Sequence, residues 1–232
     1  MITFKQFLYE EKHDLIKFLR DNCDEAIHDM FKADKYLWRG GSAKGIERFT
    51  YGKETFQGFF GFPREDRKPR NTPRWAHDYF NEYFKKEFGE PIRSTTVFAY
   101  GDRTMAGGYG STYAMIPIGP YKIFWSPRIA DLTSTVFPDL DEDEDNDKVM
   151  AGGGLHWIHQ KIPFSDVTRE MQEDYIKKFL DNSDYRESKI DSDLNTHSEL
   201  MVKCKSYLML SISQSELTEV IQEAAVDEKV EQ

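Results

Sequence analysis

RSTTVFAYGDRTMAGGYGSTYAMIPIGPYKIFWSP, residues 93–127, decides the architecture. Three of its segments, RSTTVFAY, STYAMIPIG and YKIFWSP, are rich in β-branched and aromatic residues and read as strands. GDRTMAGGYG, between the first two, reads as a short helical turn, and Gly119-Pro120 as a tight turn joining the second strand to the third. Strands follow one another here, while helical segments gather on the N-terminal side. That order predicts an α+β domain and argues against a doubly wound parallel sheet.

Upstream, RWAHDYFNEYFKKEF places Trp75, Tyr79, Phe80, Tyr83 and Phe84 mostly on one side of a helix. Thr72 is the expected N-cap, Pro73 the first helical residue, and Gly89 with Pro91 the stop. Residues 40–72 carry glycine, charge and Phe/Tyr with weak periodicity and read as a long loop. Nearer the N-terminus, Thr3 to Gln6 fits a capping box, and residues 4–32 read as one or two helices. Downstream, residues 165–180 read as helical, and ELMVKCKSYLMLSI, from Glu199, as one or two strands. Ser213 to Glu216 is a second capping box, opening a last helix with a frayed end. The chain is read as a single domain over 1–232, with a helical lead-in at 1–34, an acidic loop at 139–148, and a C-terminal helix and tail at 213–232.

With 232 residues, the chain is long enough to bury a substantial core. No apolar run approaches the roughly 20 residues needed to span a bilayer. MITFKQFLYEEK has no apolar segment resembling a signal peptide, so a cytoplasmic location without membrane association is expected. Cys23 and Cys204 are too few for a disulfide framework or a thiolate zinc site. The net charge of −10 argues against a general nucleic-acid-coating role, but leaves room for a local basic groove.

PREDRKPRNTPR, residues 63–74, supplies such a basic segment. Arg64, Arg67, Lys68, Arg70 and Arg74 outnumber Glu65 and Asp66, and Arg67 and Arg70 are candidate contacts to phosphates or to a target. A solvated loop feeding a helix is the plainer reading. PDLDEDEDNDK, residues 138–148, fails as a calcium loop. With Asp139 at position one, Glu144 stands where glycine is needed and Met150 where the bidentate glutamate belongs. His156 and His159 in HWIHQ lack a third ligand at metal spacing, and no metal is expected. GGYG and AGGGL do not form a dinucleotide fingerprint after a strand.

KYLWRGG, residues 35–41, poses the functional question. YLW reads as a short strand that Arg39 closes, and two glycines follow at once. Arginine is seldom fully buried without a partner, and glycines let a backbone or ligand come close. Ser94 in RSTT and Glu199 in HSE likewise stand at strand openings. An arginine fork can hold a diphosphate, a serine can orient a carboxylate, and a carboxylate can stabilise positive charge developing at an anomeric carbon. The plainer readings are a surface ion pair, a turn residue and a solvated strand face.

Taken in order, these motifs resemble the mono-ADP-ribosyltransferases of the arginine, serine, glutamate class. LWRGG resembles the aromatic-Arg-Gly strand, RSTT the Ser-Thr-Ser strand, and HSELMV the glutamate strand. The LWRG form is similar to that of phage enzymes that modify host proteins. The resemblance spans residues 35–212. It implies a split β-sandwich fold with an N-terminal helical segment, NAD as co-substrate in a cleft between two small sheets, and a host protein or RNA as acceptor. It further implies that Arg39 binds the phosphates or the nicotinamide ribose and Gly40 offers backbone groups to the carboxamide. Ser94, with Thr95 beside it, would touch the ribose and position Glu199, the catalytic group, and Tyr109 would stack on the nicotinamide. Two positions depart from the pattern. His197 stands where an acceptor-selecting glutamate or glutamine is common, and Thr96 replaces the second serine. NAD hydrolysis, or a non-catalytic interaction or virion-associated protein on the same fold, are the alternatives. The oligomeric state, and whether such a protein acts free in the host cytoplasm or is packaged in a virion, are not set by the sequence.

Overall fold

The computed structural model describes residues 13–41, 47–67, 72–137 and 161–226. Among these, eight strands form one sheet. They are β1 (His13–Asp14), β2 (Trp38–Gly41), β3 (Glu47–Tyr51), β4 (Glu54–Gly61), β5 (Val97–Tyr100), β6 (Ser111–Trp125), β7 (Arg186–Ser188) and β8 (Glu199–Ser211). Their order is β1-β3-β4-β8-β5-β2-β6-β7, and β6 also pairs with β8. That extra pairing closes β8-β5-β2-β6 into a four-stranded barrel in which every ladder is antiparallel. The α+β expectation holds at this level, with strands added outside the closed ring.

One edge of β8 is shared. Val97–Tyr100 of β5 pairs with residues 199–202, whereas β4 pairs with residues 207–211. Between these two ladders the sheet forks. Helices cover both sides of it. On one side α1 (Leu15–Asn22), α2 (Asp24–Ala33) and α8 (Gln214–Ala225) bury Leu15, Leu19, Ile27, Met30, Val220 and Ile221 against the strands. On the other, α3 (Arg74–Phe88), α6 (Leu132–Val136) and α7 (Arg169–Asp181) enclose Phe80, Phe84, Leu132 and Ile176 with Phe124 and Met201. Leu200 and Val202 belong to the first cluster and Met201 to the second, as the two-residue period of a strand requires. Glu199 shares the parity of Met201 and meets the second side.

Several local expectations are corrected. Within the segment read as a long loop, β3 and β4 form a hairpin whose turn needs Gly52 at φ +58°. RSTT is not strand: Ile92–Thr95 is one helical turn, α4, before β5 begins. The hydroxyls of Thr95 and Thr96 bond back to the carbonyls of Pro91 and Ile92, which lets β-branched residues sit in a turn. STYAMIPIG and YKIFWSP form one strand with a register shift between Ile118 and Tyr121 at Gly119 (φ +71°). Thr72 does not cap α3. Its hydroxyl meets that of Thr133 at 2.8 Å, and Pro73 occupies the cap position. YLW is not the strand: β2 begins only at Trp38, and Arg39 is its second residue and does not close it. Three further readings hold. Gly89 ends α3 in the left-handed conformation, GDRTMAG contains α5 (Arg103–Gly107), and the Ser213/Glu216 capping box is formed. The Thr3/Gln6 capping box with the rest of residues 1–12, the acidic loop, the HWIHQ histidines and the last six residues lie outside the described residues. No helix among the described residues is long and apolar enough to cross a membrane.

Candidate active site

Glu199 opens β8, held at its backbone by a bond from its N–H to the carbonyl of Ala130 (2.6 Å). Its side chain is only 9% exposed, and Oε1 accepts a hydrogen bond from Arg93 Nη1 at 3.0 Å. Burial pushes the carboxyl up to about 7, and Asp131 pushes the same way, while Arg93 and Arg67 oppose them. Arg93 also donates through Nη2 to Thr133 Oγ1 (3.1 Å), and its Nε is buried without an acceptor. Its guanidinium lies 5.1 Å from the Phe98 ring centre and 5.5 Å from that of Phe80.

Arg93 therefore takes the place expected for Ser94. The Ser94 hydroxyl turns instead towards α3, where it meets Asn81 Nδ2 at 2.8 Å and His77 Nε2 at 3.1 Å; Ser94 N–H donates to Asn81 Oδ1 at 3.2 Å. His77 is buried, and burial followed by the Arg93 charge lowers its pKa to about 4, so it is neutral near pH 7. These bonds lock the turn that carries Arg93, and Ser94 acts on Glu199 one step removed. Thr95 spends its hydroxyl on the Pro91 carbonyl.

Beside this pair stands Asp131, which the sequence reading did not single out. Oδ1 caps α6 through Ser134 N–H (2.8 Å), and Oδ2 accepts from the hydroxyls of Tyr109 (3.1 Å) and Tyr100 (3.3 Å). Tyr100 faces Glu199 across the β5–β8 ladder. Tyr109 stacks on Tyr100, with ring centres 5.8 Å apart and planes 17° from parallel. Tyr109 as a whole remains 57% exposed. Asp131 is held below its usual value despite burial, chiefly by the bonds from Ser134, so the two carboxyls are pushed in opposite directions. Such a pair divides acid and base roles.

Arg39 lies on β2, between the β5 and β6 ladders, and its Nη1 donates to the Phe98 carbonyl. It also interacts electrostatically with the Tyr207 hydroxyl, and the Tyr207 ring lies across Gly61 of β4; a Cβ at Gly61 would fall 2.2 Å from that ring. Arg67 stacks over Phe98 at 3.9 Å, and its backbone N–H donates to Ser94 O (3.1 Å). Gly40 corrects the idea that both glycines clear a path for a ligand. A Cβ there would lie 2.2 Å from the Ala106 carbonyl oxygen of α5, so Gly40 serves internal packing. Only Gly41 faces open space. His197 is exposed and bonds Thr196 at 3.1 Å, away from Glu199, and Arg70 lies outside the described residues. Among the described residues, no group of three or more His, Cys, Asp or Glu side chains is placed to hold a metal ion.

Arg39, the turn bearing Ser94, and Glu199 thus lie on or next to three neighbouring strands, β2, β5 and β8. Asp131 could have been found in DLTS as a helix cap, though not as a neighbour of Glu199, because the partner is 68 residues away by number. No family model matches the chain, and comparison with curated proteins and with solved structures yields no match.

Proposed function

We propose that the protein is an NAD-dependent mono-ADP-ribosyltransferase that acts on a host protein or RNA in the cytoplasm. The observation that carries this reading is the side-by-side order of β2, β5 and β8, which brings the arginine, serine and glutamate motifs onto or next to neighbouring strands. On this reading the forked barrel is a variant of the split β-sandwich. The donor set fits NAD. Arg39 and Arg67 have no carboxylate within salt-bridge distance among the described residues, leaving positive charge for a diphosphate. Glu199 is a carboxyl poised near neutrality, and Tyr109 offers an exposed aromatic ring.

NAD supplies the ADP-ribosyl group, and its ribosyl bond to nicotinamide is the one that breaks. Arg39 holds the phosphates. Ionised Glu199 faces the ribose and stabilises positive charge developing at its anomeric carbon; Arg93, with Thr133, sets the orientation of that carboxylate. Catalysis on this account is positioning and electrostatics.

The test is release of nicotinamide and transfer of labelled ADP-ribose from NAD in a bacterial lysate. Glu199→Gln is expected to lower turnover by about two to four orders of magnitude. Nicotinamide release without labelled macromolecule would make the protein an NAD hydrolase. The burial of Glu199 and its engagement by Arg93 favour one rival, a non-catalytic interaction protein on the same fold. Neither release nor NAD binding by the wild type would establish that rival.

A further inference from the structure

Three guanidinium groups from three separate segments converge on Phe98. Arg39 reaches its carbonyl from β2, Arg67 covers its ring at 3.9 Å from the segment after β4, and Arg93 approaches the ring at 5.1 Å from α4. In a chain of net charge −10, this clustering runs against the average composition. Glu199 is the carboxylate that pairs directly with the group, through Arg93. Among the described residues, no carboxylate lies within 4 Å of the Arg39 or Arg67 guanidinium. Arg93, with its side chain 7% exposed, still has a donor, Nε, without an acceptor. Burial and the charges of Arg93 and Arg39 lower Arg67 to about 10, which records the repulsion within the cluster. Like charges held together at this cost in a folded site call for a counter-anion.

We infer that Arg67 and Arg93 complete, with Arg39, a three-arginine subsite around Phe98 that takes a diphosphate group. The inference deepens the proposed reaction and rests on it for the identity of the rest of the nucleotide. Arg39 and Arg67, both half-buried, supply donors to the anion, while buried Arg93 adds its charge 5.1 Å from the Phe98 ring centre. The Tyr207 hydroxyl interacts with Arg39, and its ring fills the space that Gly61 leaves open. A planar guanidinium that is stacked and tethered loses little freedom on meeting a phosphate, which suits it to this role better than a lysine. Two phosphates match the arrangement better than one, because Arg39 and Arg67 reach Phe98 from different elements and address different atoms of it.

The test is calorimetric titration of the full chain with inorganic pyrophosphate, at low and at physiological ionic strength. One-to-one binding that weakens with salt is expected. Arg67→Gln should weaken it by about ten-fold or more, the range for a lost hydrogen bond to a charged group. Arg67→Lys should lose less, and Tyr207→Phe, which keeps every charge, should weaken binding by loosening Arg39. Arg128→Gln, whose native side chain donates to the Asn182 carbonyl and not to Phe98 or Glu199, should bind as the wild type does. Absence of pyrophosphate binding by the wild type, or equal losses in Arg67→Gln and Arg128→Gln at unchanged melting temperature, overturns the subsite. A parallel nicotinamide-release assay separates the two ideas. NAD cleavage without pyrophosphate binding removes the subsite and leaves the transferase, whereas pyrophosphate binding without NAD cleavage keeps the subsite and removes the transferase.

Discussion

Glu199 is the residue at which stability and activity pull against each other. Its pKa is raised by burial to about 7, so between the unfolded value near 4.5 and about 7 the folded chain holds a proton that the unfolded chain has lost. Stability from this group is therefore full at low pH and falls as pH rises through about 7. His77, lowered to about 4, has the opposite slope between about 4 and 6.5, so the total curve blends the two. Subtracting the Glu199→Gln curve from the wild-type curve isolates Glu199, and denaturant titrations from pH 5 to 8 should show the difference declining as pH rises. A flat difference would place the proton elsewhere. If ionised Glu199 does the chemistry, kcat/KM should climb with pH across the same window. A second residue-scale contrast concerns the glycines. Gly40→Ala drives a Cβ into the Ala106 carbonyl and should cost about 1–3 kcal/mol, the usual range for overpacking. Gly41→Ala meets nothing within 4 Å and should leave stability within about 0.5 kcal/mol. Loss of activity in the latter without loss of stability would mark Gly41 as the point of ligand approach.

At the scale of elements, what could be read in advance follows from whether the signal was local. The Ser213 cap and the Gly89 stop are satisfied within one turn of chain, and both formed as their residues dictate. RSTT carries strand-forming residues but folds as a turn, because Asn81 and His77 of α3 bind Ser94 from outside. Gly119-Pro120 looks like a hairpin turn and is a bulge, because β8 runs past it on the other side and pairs with both halves of β6. The same distinction explains the site. Arg39 and Glu199 stood out as charges at strand ends, whereas the roles of Arg93 and Asp131 depend on long-range contacts. The last helix illustrates how such a contact stabilises an element. Arg20 of α1 donates to the carbonyls of Glu223 (2.8 Å), Val226 (3.1 Å) and Ala224 (3.3 Å), closing the C-terminal end of α8. Arg20→Ala should destabilise the fold by about 1–3 kcal/mol, as for hydrogen bonds made by a charged group, and urea denaturation would read it. A change no larger than that of an isolated surface substitution would mean that water caps those carbonyls equally well.

For the whole molecule, the decisive fact is that β6 and β8 are each paired along both edges over much of their length. β8 meets β5 and β4 on one side and β6 on the other, and β6 meets β2 and β7 opposite β8. Neither strand can be peeled away without opening the barrel, whereas β1 and β7 lie at the ends of the sheet and are only two and three residues long. Many of these ladders are distant in sequence, such as Ala114 with Leu210 and Phe59 with Met209, so loop-closure entropy must be met before they form. Folding on the millisecond-to-second scale is expected for such non-local pairing. Hydrogen exchange should then divide the molecule. Amides of residues 113–116, 200–202 and 208–210 should exchange only by global unfolding, and those of β7 by local opening. Glu199 sits at the first residue of β8, next to the most protected segment but joined to the Thr196–Ser198 turn. Arg93 and Thr133 can therefore hold its carboxyl in one orientation while the barrel stays closed. If the amides of 200–202 exchanged as fast as those of β7, the site would have no rigid floor, and the positioning role assigned to Arg93 and Glu199 would lose its physical basis.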